Sequence, residues 1–181
     1  MANKNISNFL EKFDGGARPN LFEVTFAGGP VGIDGETLKV HCKAASLPSS
    51  ILGVINLNYR GRIIQLPGDR TFEDWTITVI NDEAMSLKKA FVQWQATYND
   101  HVTNQPTTGA QADHIDAIKN CTATVSQLSR TGTATMTYEL AQVWCDNVSG
   151  TDVSYDTPDT ISEFTVTLKY HSYTITDTPA A

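Results

Sequence analysis

Hydrophobic and polar residues alternate along most of the chain. Phe22, Val24 and Phe26 share one face of a predicted strand over Asn20–Ala27, and Leu38, Val40, Cys42 and Ala44 share one face of another over Thr37–Ala45. A strand pair is predicted at Ile51–Leu57 and Tyr59–Leu66, interrupted by Arg60-Gly61-Arg62. Leu66-Pro67-Gly68-Asp69 has the residue order of a type II turn, with proline presetting φ at the second position and glycine supplying positive φ at the third. Trp75, Ile77 and Val79 then alternate with Thr76 and Thr78. The period changes at Asn81-Asp82, which reads as a strand end and a helix N-cap. Glu83 is placed in the first turn, where the helix dipole favours an anion. Ala84, Leu87, Phe91, Trp94 and Tyr98 follow at spacings of three and four, so a helix is predicted at about 83–98.

Alternation returns at Cys121–Leu128, Thr133–Asp146 and Ile161–Ile175. In the second of these, Met136, Tyr138, Leu140 and Trp144 share a face; in the third, Phe164, Val166, Leu168 and Tyr170 do. Between the periodic stretches lie a polar N-terminal arm over 1–16, a glycine-rich loop or extended hairpin tip over 28–36, a long connection over 99–120 with a weak helix at Ala110–Lys119, a polar loop at Asn147–Pro158 and a tail over 177–181. In the arm, Ile6, Phe9 and Phe13 recur at helical spacing, an apolar stripe too sparse to fold alone. The sum is a mainly β (α+β) chain. Its single domain, over 17–176, is a sandwich or barrel of two packed antiparallel sheets with one flanking helix covering an open end or edge.

Composition narrows the function. The 181 residues suffice for one domain with a full core. A formal charge of −7 argues against a chain that grips nucleic acid, since such binding replaces counterions with lysine and arginine. Cys42, Cys121 and Cys145 are widely spaced and form no CxxC pair, which fits free buried thiols in a reducing compartment. No apolar run approaches the roughly 20 residues that span a bilayer, so no membrane insertion is expected.

Candidate chemistry is sparse. Glu73-Asp74 and Asp82-Glu83 are adjacent carboxylates, and neighbours in a strand point to opposite faces, so turn and cap roles suit them better than catalysis. His41, His101, His114 and His171 fall into no ligand spacing, and no phosphate-binding or nucleophile motif occurs. The expectation is therefore no catalytic residue, no metal and no cofactor. Arg70 could pair with Asp74 in the same chain or with a neighbouring copy. The arm and long loops suit a protein whose surfaces meet copies of itself.

Four blocks, Ala17–Phe22 (ARPNLF), Cys42–Pro48 (CKAASLP), Gly68–Ala84 (GDRTFEDWTITVINDEA) and Phe91–Trp94 (FVQW), resemble the tail tube proteins of contractile-tailed, T-even-like bacteriophages. The residues carrying the resemblance are Arg18, Pro19, Asn20, Leu47, Pro48, Gly68, Asp69, Arg70, Trp75, Asn81, Asp82, Glu83 and Trp94. The resemblance implies a structural protein of the virion: hexameric rings stacked into a tube, with strands of each copy joining an inner barrel through which DNA passes. It also implies sheath, baseplate and tail-terminator partners. On this view Arg70, Asp74, Ile6, Phe9 and Phe13 are candidate contacts between copies, and acidic side chains should outnumber basic ones on the lumen wall. The tube of a phage-derived bacteriocin or type VI secretion system is the neighbouring alternative. A monomeric glycan-binding β-sandwich is the alternative of a different class.

Overall fold

The computed structural model describes all residues except 1–5, 7–8, 10–12, 14–15, 29–32, 34, 107–117, 157 and 178–181. Most of the expected arm, the centres of the 28–36 loop and the 99–120 connection, and the tail beyond 177 lie outside the described residues.

Among the described residues, ten strands form three antiparallel sheets. The first sheet has the order β1 (Phe22–Ala27), β6 (Thr122–Leu128), β7 (Ala134–Ala141), β10 (Ser172–Asp177). The second has β2 (Cys42–Ala45), β5 (Trp75–Ile80), β9 (Glu163–Lys169), β8 (Trp144–Val148). The third is a hairpin of β3 (Ser50–Tyr59) and β4 (Arg62–Phe72). Two helices complete the described fold, α1 (Gly35–His41) and α2 (Ser86–Tyr98).

The first two sheets face each other across one core. Val24, Ala123, Val125 and Leu140 come from the first sheet; Trp75, Ile77, Val79, Phe164, Val166 and Leu168 come from the second. Alternation puts each set on one face of its strand, which is why the sequence pattern located them. Helix α2 closes one side of this sandwich. Its Leu87, Phe91 and Trp94 lie at helical spacing and are buried. Phe91 and Trp94 meet Phe26 of the first sheet at ring-centroid distances of 6.3 and 6.1 Å, and Phe91 meets Phe164 of the second at 6.1 Å. One apolar helix face thus joins both sheets. The expected sandwich with a flanking helix is the observed architecture, with a short second helix and a separate hairpin added.

Several boundaries differ from expectation. Residues 35–41 are helical, not extended: Leu38 is buried whereas Val40 is exposed, so the two do not share a face as they would in a strand. Glu36 and Lys39, three apart, form an ion pair of 2.9 Å along that helix. The stretch 133–146 is two strands in different sheets. Gln142 takes a left-handed φ of 58° between them, which carries Trp144 away from the Met136, Tyr138 and Leu140 strand. Likewise 161–175 breaks at Tyr170-His171 into β9 and β10.

Helix α2 begins at Ser86 rather than near 83. The N-cap residue is Met85, with a left-handed φ of 51° and no side-chain cap bond, and not Asn81-Asp82. Asp82 reaches the first helical residue from one turn earlier, its Oδ1 accepting the Ser86 N–H at 2.8 Å and its Oδ2 the Ser86 hydroxyl. Glu83 consequently lies in the turn before the helix, exposed, and not in the first helical turn.

Candidate assembly surfaces

Among the described residues no group of three or more His, Cys, Asp or Glu side chains is placed to hold a metal. The features that stand out are surfaces.

The first is the β3–β4 hairpin. Its turn is Arg60-Gly61, with φ of 45° and 80°. Two successive positive φ values make a type I′ turn, whose twist matches that of the strands it joins. Leu66-Pro67-Gly68-Asp69 is not a turn. It lies inside β4, where the register slips between Leu52↔Arg70 and Val54↔Pro67. Gly53 and Gly68 make this bulge possible, since a Cβ on Gly68 would sit 3.2 Å from the Gly53 backbone. The bulge also accommodates Pro67, which has no N–H to donate to the ladder.

Both hairpin strands are exposed nearly throughout. In register, Ile55 faces Leu66, Leu57 faces Ile64 and Tyr59 faces Arg62, so alternation gathers these six side chains on one face. Nine large apolar residues of the hairpin are 45–66 % exposed. Ile55, Leu57, Tyr59, Ile64 and Leu66 share one face and Val54 and Ile63 lie on the other, so both faces of the ribbon expose apolar side chains, as candidate interaction surfaces do. Three arginines and one aspartate give residues 50–72 a charge of +2, so the rest of the chain carries −9 of the total −7.

The second surface is the outer face of the β1-β6-β7-β10 sheet. Its cross-strand rows are Glu23–Ser126–Thr137–Thr176, Thr25–Thr124–Glu139–Thr174 and Ala27–Thr122–Ala141–Ser172. These four strands contain no lysine, arginine or histidine. The other sheet differs, with Lys43 paired to Glu163, and Lys169 lying 3.4 Å from Asp74 and 3.9 Å from Asp146. Lys39 of α1 reaches this face and meets Glu23 at 2.7 Å. The sheet ends in β1 on one side and β10 on the other, each hydrogen-bonded to one neighbour. Every pairing in it is antiparallel, so β1 and β10 run in opposite directions.

The remaining residues singled out in the sequence are mostly joints. The Arg18-Pro19-Asn20 turn is pinned by Gln127, whose Nε2 donates to the carbonyls of Arg18 at 2.7 Å and Leu21 at 2.8 Å. Leu47 is exposed and Pro48 buried at the entrance to the hairpin. Trp75 is fully buried and its Nε1 donates to the Ser46 carbonyl at 2.6 Å, fixing that entrance to β5. Asn81 ties β5 to the chain before β9 by donating to Ser162 Oγ at 2.8 Å. Trp94 donates from Nε1 to the Tyr98 hydroxyl at 3.0 Å. Asp74 pairs with Lys169, so the intrachain Arg70–Asp74 pair does not form. Arg70 is instead exposed on the hairpin, opposite Leu52, with no ion-pair partner among the described residues. In the arm, Ile6, Phe9 and Phe13 are exposed, and the two phenylalanine rings stack at 5.0 Å.

Sequence reasoning missed a cluster at the hairpin root. Phe72 lies 5.7 Å from Tyr170 and 5.6 Å from Tyr173, and Tyr173 lies 5.7 Å from Tyr138. Tyr170 donates its hydroxyl to the Ser49 carbonyl at 3.0 Å, and the Tyr173 and Ser50 hydroxyls are 3.1 Å apart. Four aromatic residues from four different strands or strand ends gave no local signal.

The chain is similar to known proteins in sequence and in fold. The chain is 34 % identical over 166 residues, spanning 90 % of its own length and 95 % of the relative's, to tail tube protein gp19 of Enterobacteria phage T4. It is 26 % identical over 123 residues, 68 % of its length and 66 % of the relative's, to the tail tube protein of Serratia phage KSP90. In fold it is similar to a chain of the anti-feeding prophage tube-terminating cap, with a TM-score of 0.66 and 16 % identity, covering 98 % of this chain and 100 % of that one. It also resembles a chain of the sheath–tube complex of the PVC extracellular contractile injection system, with a TM-score of 0.64 and 13 % identity, covering 96 % and 99 %. The family model described as phage tail tube protein matches residues 17–176. The chain belongs to the phage tail tube protein family.

Proposed function

We propose that this chain is the subunit of the inner tube of a contractile phage tail, that its rings are hexameric, and that DNA passes through them. Its role on this reading is structural. The observation that carries it is the hairpin, whose nine exposed apolar side chains are left uncovered by the described residues of one copy. Its +2 charge against a −9 body suits a docking site on a second copy of the same chain. Such a contact joins two different patches, so it repeats into a filament rather than closing as a dimer.

Ring closure uses the other surface. Because β1 and β10 run in opposite directions, β10 of one copy can pair with β1 of the next and keep the sheet antiparallel throughout. Six copies would supply twenty-four strands, a barrel roughly 45 Å across at the backbone for ordinary strand spacing and tilt. That is wider than a DNA duplex. This face, whose four strands carry threonine, serine and glutamate and no cation of their own, would line it, with Lys39 neutralising Glu23 and Glu139 left to repel phosphate, limiting the counterion release that makes DNA adhere. The sheath, baseplate and terminator would then meet the tube's outer wall and ends, in keeping with the complexes in which chains of similar fold occur.

The test is assembly of the purified chain, followed by sedimentation and electron microscopy. Rings or tubes are expected from the natural sequence, and folded subunits or single rings without tubes from Leu57→Lys/Ile64→Lys. A variant that polymerises like the natural chain would overturn the reading, as would a charged channel lined by lysine and arginine in the assembled tube.

A further inference from the structure

We propose that Tyr170 and Tyr173 are positioning residues for assembly: they tie the hairpin root to edge strand β10, so that the stacking element and the ring-closing edge act as one unit. This rests on the tube reading above.

The hairpin leaves the body at Ser50 and returns at Phe72, which are partners in register. Both ends are held by the same two tyrosines. Tyr173 belongs to β10 and reaches the outgoing end through Ser50 Oγ at 3.1 Å and the returning end through the Phe72 ring at 5.6 Å. Tyr170, at the end of β9, is 8 % exposed; it holds the Ser49 carbonyl at 3.0 Å and stacks near the same Phe72 ring at 5.7 Å. The two tyrosines also contact each other, at 6.2 Å.

Geometry makes this anchor decisive. Eleven residues of β4, at about 3.3 Å each, make a lever of roughly 35 Å, so a 10° tilt at the root moves the tip by about 6 Å. That exceeds the width of a side-chain contact, and Tyr59 and Leu57 near the tip would miss their docking site. The strand that sets the root angle, β10, is also the free edge of the cation-free sheet. Pairing of that edge with a neighbouring copy fixes Tyr173, and through it the hairpin. By reciprocity, a docked hairpin favours edge pairing by the same factor.

The double variant Tyr170→Phe/Tyr173→Phe removes both hydroxyls and keeps the rings in place. In isolated subunits, amide hydrogen exchange should accelerate severalfold at the hairpin root (Ser50–Leu52, Thr71–Phe72) and in β10 together, with little change in Tm. In assembly, rings should persist while tubes fall at least tenfold at equal subunit concentration. Ser50→Ala, which removes only the hydroxyl that meets Tyr173, should give the same pattern more weakly. Unchanged exchange in either segment overturns the proposal, as does natural tube yield from the double variant or loss of rings and tubes in equal proportion. Because the exchange measurement uses single subunits, it decides the coupling even if the natural chain builds no tube, an outcome that would count against the tube reading instead.

Discussion

Gly28 and Asn120 approach so closely that a Cβ on Gly28 would lie 1.8 Å from the Asn120 carbonyl oxygen. Gly28 also has a left-handed φ of 70°. It ends β1 just where Cys121, the residue before β6, enters the core, so the contact sets how β1 leaves the sheet. Gly28→Ala should therefore destabilise strongly, since both the backbone conformation and the space are denied. Urea unfolding should show a midpoint well below that of Gly61→Ala, a substitution with an equally left-handed φ but open space around it.

The core depends on the ring that bridges both sheets. Phe91 is fully buried between Phe26 and Phe164, and Phe91→Ala should cost about 3–5 kcal/mol in denaturant unfolding. By contrast, Ile55→Ser on the hairpin should leave monomer stability within about 0.5 kcal/mol of the natural chain while weakening assembly. Measuring both on the same subunits separates folding from polymerisation.

Asp82 links stability to acid. The Ser86 hydroxyl, and after it the Ser86 N–H, hold its carboxyl below the ordinary value of 3.8. A depressed folded-state value means the carboxylate contributes stability above the unfolded value, and that contribution disappears as pH falls through the folded one. Asp82→Ala should lower Tm at pH 7, and the gap to the natural chain should narrow as pH falls below the ordinary carboxylate value of about 4. A gap independent of pH would show that the cap works without its charge.

The thiols predict the opposite limb. Burial pushes Cys145 up to about 12, with Asp146 adding to it, and pushes Cys121 up to about 11. Raised folded-state values leave stability intact below the unfolded thiol value of about 8.5 and withdraw it as pH climbs toward 11. Native protein at pH 8 should resist iodoacetamide at Cys42, Cys121 and Cys145, all buried, and label at all three in urea. The double variant Cys121→Ala/Cys145→Ala should show a flatter fall of Tm between pH 9 and 11.

Much of the fold was legible because alternation is a local signal. Trp75, Ile77 and Val79 are fully buried on the face the sequence assigns them, and Leu87, Phe91 and Trp94 on theirs. Breaks without glycine or proline were not legible: Gln142 and Tyr170-His171 end strands by tertiary packing, in the middle of unbroken alternation. Pro67-Gly68 misled in the other direction, since the residues of a turn also serve a bulge. Residues 35–41 fit both periods, and the burial of Leu38 decided for the helix. The assembly surfaces were the least legible. Ile55, Leu57 and Ile64 alternate just as core residues do, and only the absence of a covering layer distinguishes them. The tyrosine cluster joins residues about a hundred positions apart, a distance over which a single sequence carries no pattern.

The opposed directions of β1 and β10 have one more consequence. A sheet of even strand number joins to its own copy without a mismatched seam at any copy number, so parity leaves the ring order undetermined. The count must come instead from curvature, the angle each copy turns the wall. In the proposed ring that angle would depend along one row on Ala27, Thr122, Ala141 and Ser172, and along another on Glu23 and Thr137. Bulk added to the first row would open the wedge between neighbours. The ring would then change its number of members, not its ability to close.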